Sequence, residues 1–202
     1  MPYKDQINII IGNPPYVRGK NTKKYLKLTN KITETYVKDS KYINNNYLYT
    51  SYIQSYRWAT DRLGSKGIVC FISSSGFLEA TGGRGFCKHL AQDFTNLYFI
   101  DLRGYIRKDM LSNTKEEGGN VFGQRCMIGL CISILVKDPD APNPGIIFYY
   151  DIGKGLTAKQ KKAKLNKLDF KDIDWQEITP NNNYEWLNQR DSDPAKIGRA
   201  HV

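Results

Sequence analysis

The chain has 202 residues, 40% of them hydrophobic, which supports one sizeable core with an appendage rather than several domains. Thirty Lys and Arg against 20 Asp and Glu give a formal charge of +10, which suits a polyanionic partner. No apolar run approaches the roughly 18 residues of a spanning helix and no basic-then-apolar leader precedes the first strand signal, so a cytoplasmic protein with no membrane partner is expected.

Residues 7–11 form a short β-branched apolar run stopped by Gly12 and a proline pair, and they predict a strand buried on both faces. Residues 17–44 are basic. Arg18, Lys20, Lys23, Lys24, Lys27, Lys31, Lys38 and Lys41 outweigh Glu34 and Asp39, with Tyr25, Tyr36 and Tyr42 interleaved. Following the turn directly, this stretch reads as an insertion that contacts phosphates, with Arg18, Lys20, Lys23 and Lys24 foremost.

Over residues 47–63, Leu48, Tyr52, Ile53, Tyr56, Ala59 and Leu63 recur at helical spacing, and Gly64 supplies a stop. Residues 67–72 predict a second buried strand. Ser73-Ser74-Ser75-Gly76 lacks the Gly-x-Ser-x-Gly elbow and reads as a turn, and Gly82-Gly83-Arg84-Gly85 lacks the Lys-Ser/Thr of a phosphate loop and reads as a helix start. Phe86, Leu90, Ala91 and Phe94 predict the second helix, which leaves His89 on the surface.

Residues 97–102 predict a third strand. Just past it, Arg103 and Arg107 are open between phosphate contact and simple solvation. The apolar run 127–136 ends at Lys137-Asp138-Pro139 and follows a polar loop without helical period, so it fits a hairpin-like return and an antiparallel last strand in an otherwise parallel sheet. The fold class is α/β. Residues 154–171 hold seven lysines against one Asp, and a solvated face is as good a reading there as a DNA-facing one. Cys70, Cys87, Cys126 and Cys131 form no CxxC pair, so reduced thiols are expected, with no metal site and no disulfide framework.

The chemistry concentrates in Asn13-Pro14-Pro15-Tyr16, at the carboxyl end of the first strand, where open α/β sheets bind ligands. An adenine N6 amine is a poor nucleophile because its lone pair is delocalised into the ring. Two acceptors aimed at its hydrogens, the Asn13 amide oxygen and the Pro14 carbonyl, would favour a more tetrahedral nitrogen. Pro15 fixes φ and removes a competing N–H, and Pro14 biases Asn13 away from helical geometry. Tyr16 offers a flat face for a base extruded from the duplex.

The tetrapeptide resembles the catalytic motif of amino-methyltransferases. Its surroundings are similar to the type ISP group, large single-chain restriction-modification enzymes that join a helicase to an adenine methyltransferase. The likeness rests on Asn13 to Tyr16, Leu48-Tyr49-Thr50-Ser51-Tyr52-Ile53 with Arg57-Trp58-Ala59 and Asp61-Arg62, Leu102-Arg103-Gly104, Glu117-Gly118-Gly119-Asn120-Val121-Phe122-Gly123, and Tyr150-Asp151-Ile152-Gly153.

That resemblance implies an adenine-N6 DNA methyltransferase of a restriction-modification system, with S-adenosylmethionine as cofactor and double-stranded DNA as partner. It assigns catalysis to Asn13, Pro14, Pro15 and Tyr16, cofactor contact to Asn13 and Pro15, and packing against the flipped base to Phe122 as well as Tyr16. The family's glycine-rich cofactor loop and ribose-binding acid have no counterpart before Asn13. The expectation is therefore a fragment holding the second half of the methyltransferase sheet, strands four to seven, with the N-terminal half and possible helicase and nuclease domains as partners.

The expected division is a catalytic half over 1–139, then a linker and the start of a target-recognition region over 140–196. Residues 197–202 back-translate as ATCGGAAGAGCACACGTC, a common sequencing-adapter sequence, and are set apart as an artefactual tail. Two alternatives stay open, a methyltransferase for protein glutamine or another amino group and a nucleic-acid-binding fragment without catalysis.

Overall fold

The computed structural model of the protein describes residues 7–16, 25–40, 45–123 and 125–189. Arg18, Lys20, Lys23, Lys24, Lys41, Tyr42 and the tail 197–202 lie outside these residues.

The apolar runs become the strands of one mixed sheet with helices packed on it, an α/β fold. Strand β1 (Ile7–Gly12) leads to helix α1 (Leu26–Ile32), a π-helical turn (Thr33–Val37) and the short α2 (Lys38–Ser40). Helix α3 (Ser51–Arg62) runs into β2 (Leu63–Ser74), and α4 (Arg84–Asp93) into β3 (Asn96–Arg103). After α5 (Ile106–Ser112) and a long loop come β4 (Leu130–Lys137), β5 (Ile146–Asp151), α6 (Ala158–Lys167) and β6 (Gln176–Ile178). Among the described residues no helix is long and apolar enough to cross a membrane.

The strand order is β1-β2-β4-β3-β5-β6. β4 is antiparallel, as its polar lead-in predicts, but it is no simple hairpin return. It slots between β2 and β3 and pairs antiparallel with both. Its sequence suits the central place, because Leu130, Cys131, Ser133 and Leu135 are all completely buried. The stretch after Pro139, read as linker and recognition region, carries two strands of this same sheet, β5 parallel to β3 and β6 antiparallel to β5.

β1 pairs in parallel with β2 and lies at the edge of the sheet. The expectation of a strand buried on both faces is thereby corrected, since Ile9 is 64% and Ile11 77% exposed. A β-branched apolar run is what a central parallel strand needs, so composition and position disagree here.

The main core lies between the sheet and helices α1 to α4, and it is aromatic. Tyr56 meets Phe71, Phe77 and Phe86 edge-on at centroid distances of 5.1, 6.1 and 5.2 Å. Tyr36, counted above among the aromatics of a DNA-facing insertion, is instead fully buried and packs edge-on against Phe86 at 5.3 Å. Gly85 permits this approach, because a Cβ there would collide with the Tyr36 carbonyl oxygen.

His89 also departs from expectation. Its side chain is 16% exposed, and Nε2 lies 2.9 Å from Asp39 Oδ2, which Lys88 shares at 3.0 Å. Lys88 and His89, adjacent on α4, thus share one carboxylate oxygen of α2. Lys31 likewise pairs with Asp61 at 2.7 Å, which removes it from the free cations of the insertion.

Candidate active site

β1 delivers its last residues to the carboxyl end of the sheet beside β2, where a Cβ on Gly12 would sit 3.2 Å from the Phe71 ring. The following turn alternates: Asn13 and Pro15 are exposed, Pro14 is buried and Tyr16 is half-buried. The Tyr16 hydroxyl donates to Asn13 Oδ1 at 2.7 Å and also lies 3.2 Å from the carbonyl of Ile72 near the end of β2. Asn13 is thus held by its own turn.

Burial pushes the Tyr16 phenol up to about 12, with Cys126 and Cys131 adding to the effect, so the hydroxyl is a donor throughout the neutral range. The ring packs against both hydrophobic clusters of the protein. That leaves less open face for a base than the sequence alone suggested.

The second of those clusters contains Val121, with Ile100, Leu102, Leu130 and Ile173. Val121 is buried and Phe122 beside it is 47% exposed. Asn120 fixes this step, its amide nitrogen donating to the carbonyls of Ile128 (2.8 Å) and Gly104 (3.3 Å) and its oxygen accepting the Phe122 N–H (3.0 Å). The Phe122 ring is thus left half in solvent on a backbone fixed by Asn120.

Arg103 and Arg107 part company. Arg107 is exposed on α5. Arg103 ends β3 with φ at +54° and turns inward, gripping the Asp151 carboxylate through Nε at 2.7 Å and a second, shorter contact, with Glu117 at 3.8 Å. Burial alone would raise the Asp151 carboxyl, but the Arg103 hydrogen bonds and the Gly153 N–H hold it below its ordinary value. This charge is spent inside the protein.

The sequence reading missed this ionic network and the buried Lys161 joined to it, whose amine reaches the Glu117 carbonyl at 2.7 Å. Its available signal was that Arg103, Glu117 and Asp151 all fall in the stretches that carry the family resemblance. Nearby, a cavity of about 390 Å³ opens at the carboxyl ends of β2 and β3, lined by Ser74, Ser75, Asp101, Tyr105, Glu117 and Gly129 among others.

Residues 3–106 match the Eco57I restriction-modification methylase family. The chain belongs to that family. Solved structures agree along nearly all of its length. It is 38% identical, with a TM-score of 0.82 over 92% of this chain, to a nuclease-deletion mutant of the type ISP restriction-modification enzyme LlaGI in complex with a DNA substrate mimic. It is 33% identical, with a TM-score of 0.84 over 94% of this chain, to the ATP-dependent type ISP enzyme LlaBIII bound to DNA. It is 32% identical, with a TM-score of 0.81 over 92% of this chain, to DrdV in a DNA complex. The chain spans 18%, 13% and 18% of those three proteins. No curated protein matches it.

Proposed function

We propose that this chain is the catalytic half of a DNA methyltransferase in a restriction-modification system, acting on the exocyclic N6 of adenine with S-adenosylmethionine as methyl donor. Membership of the methylase family and the likeness to DNA-bound type ISP enzymes support the class of reaction. The observation that carries the atomic reading is the Asn13 amide, exposed at a strand's carboxyl end with its oxygen oriented by Tyr16.

A carboxamide oxygen has two lone pairs, so Oδ1 can keep the Tyr16 hydroxyl and still accept one hydrogen of an adenine amine. The Pro14 carbonyl takes the other. Drawing both hydrogens toward acceptors returns the lone pair to the nitrogen, and acceptors fixed in advance cost no reorganisation when the reaction occurs. Phe122 supplies one stacking face, worth about 1 to 3 kcal/mol. Tyr16 contributes chiefly by holding Asn13, with the exposed part of its ring as the second face.

When bound, the sulfonium donor supplies an electrophilic methyl group. The described residues fit only the side of that site which faces the amine. Asn13 and Pro15 can form one wall, and no glycine-rich loop with a ribose-binding carboxylate is found among the described residues. Arg107 and the exposed lysines of α6 are proposed to contact DNA phosphates, as are Arg18, Lys20, Lys23 and Lys24. Arg103, engaged with Asp151, is proposed to order the site instead.

The test is methyl transfer by the full-length protein to duplex DNA and to protein acceptors, with the modified nucleoside identified by mass spectrometry. N6-methyladenine is expected. A methylated cytosine or a methylated protein side chain would overturn the assignment.

A further inference from the structure

Helix α6 carries Lys159, Lys162, Lys164 and Lys167 exposed, and Lys161 with no exposure at all. Burying an ammonium group is costly without compensation. Burial pulls Lys161 below the ordinary lysine value, against the opposing pull of Glu117 and Asp101. Solubility does not require it there, and its amine is directed at one atom, the Glu117 carbonyl oxygen 2.7 Å away.

That carbonyl opens the Gly118-Gly119 loop. The loop lies directly on the start of α6: a Cβ on Gly118, at φ +64°, would collide with the Leu156 carbonyl, and one on Gly119 would come 2.7 Å from the Ala158 nitrogen. The Gly119 N–H donates to Leu156 O at 2.9 Å, and the Gly155 N–H to Glu116 O at 2.8 Å. The helix start is itself rigid, because Thr157 and Gln160 form a reciprocal capping box. From Gly119 the chain passes to Asn120, which accepts the Phe122 N–H. Direct contacts therefore run unbroken from α6 to Phe122.

We propose that Lys161 is a positioning residue. Acting from α6, it fixes the loop that presents Phe122 to an extruded base, so the segment after β5 sets the geometry of the base pocket. The inference rests on the reading of Phe122 as a base-stacking residue.

The test uses the full-length protein and a duplex with 2-aminopurine in place of the methylated adenine. Lys161→Met keeps the apolar stem and removes the donor. The brightening on binding should fall and single-turnover methylation should slow about 10- to 100-fold, with DNA affinity within about twofold. Gly119→Ala displaces the same loop without touching the lysine and should reproduce this, and it decides the question if Lys161→Met does not fold. Phe122→Ala should lower the same signal, and adding Lys161→Met to it should cost little more. An unchanged signal and rate in a folded Lys161→Met or Gly119→Ala, or full additivity with Phe122→Ala, overturns the inference and leaves base stacking standing. An unchanged signal in Phe122→Ala overturns both.

Discussion

The Tyr16 hydroxyl donates to the Asn13 amide oxygen across 2.7 Å, so two residues of one tetrapeptide form a donor–acceptor pair at the mouth of the candidate site. Tyr16→Phe removes that donor and keeps the ring. One neutral hydrogen bond contributes about 0.5 to 1.5 kcal/mol, so methylation should slow by up to roughly tenfold. Because burial raises this phenol to about 12, its contribution to stability is complete below the ordinary phenol value near 10 and is lost as pH rises toward 12. A pH–rate profile from 7 to 9 should show no inflection that Tyr16→Phe abolishes, and such an inflection would contradict the raised value.

Arg103 and Asp151 give a stability prediction. The Arg103 side chain is 14% exposed and that of Asp151 32%, so removing the guanidinium strands a partly buried carboxylate. Arg103→Ala should destabilise by about 3 kcal/mol. The depressed Asp151 pKa means that its contribution is present above the ordinary carboxylate value and lost as pH falls through the lower, folded one. Urea titrations at pH 7 and pH 3 should therefore show the variant's deficit shrinking in acid. An equal deficit at both would remove Asp151 as the partner that matters.

Gly85→Ala tests the packing of the basic insertion. A methyl group there meets the Tyr36 carbonyl, which belongs to backbone and cannot swing aside. A loss of about 2 to 3 kcal/mol is expected in thermal or urea unfolding, and a neutral substitution would show that the π-helical turn sits further from α4.

Helices α3 and α4 were legible because their apolar residues repeat with the helical period, and β2 to β4 because short, nearly unbroken apolar runs form them. Position within the sheet was not. The run 130–137 is apolar whether it borders one strand or is gripped by two, and only pairing with both β2 and β3 distinguishes the cases. Within the insertion, a count of lysines and tyrosines weighs every side chain alike, whereas Tyr36 and Ile32 face the core and Lys31 is paired. The chemistry of Asn13 to Tyr16 singles that turn out, but not the hydrogen bond by which Tyr16 holds Asn13. The clamp of Arg103, Asp151, Glu117 and Lys161 could not be assembled from the sequence, because its members sit on β3, β5, the loop before β4 and α6, and lysines in a lysine-rich helix give no sign of which is buried.

The uncovered edge predicts behaviour in solution. With Ile9 and Ile11 exposed on a strand at the sheet's edge, the 202-residue chain alone should aggregate and bind DNA in a salt-sensitive way. Ile11→Lys should raise the soluble fraction. An Ile11→Lys chain no more soluble than the parent would remove the edge strand as the cause.

The central claim is that Asn13 draws electron density back onto the reacting amine. Asn13→Ala in the full-length protein measures this most directly, by single-turnover methylation and DNA affinity determined side by side. Losing a fixed acceptor of the reacting group should raise the barrier by about 2 to 4 kcal/mol, or roughly 30- to 1000-fold in rate, while DNA binding changes by less than about twofold. Near-normal turnover, or a loss that appears entirely as weakened DNA binding, would contradict the account.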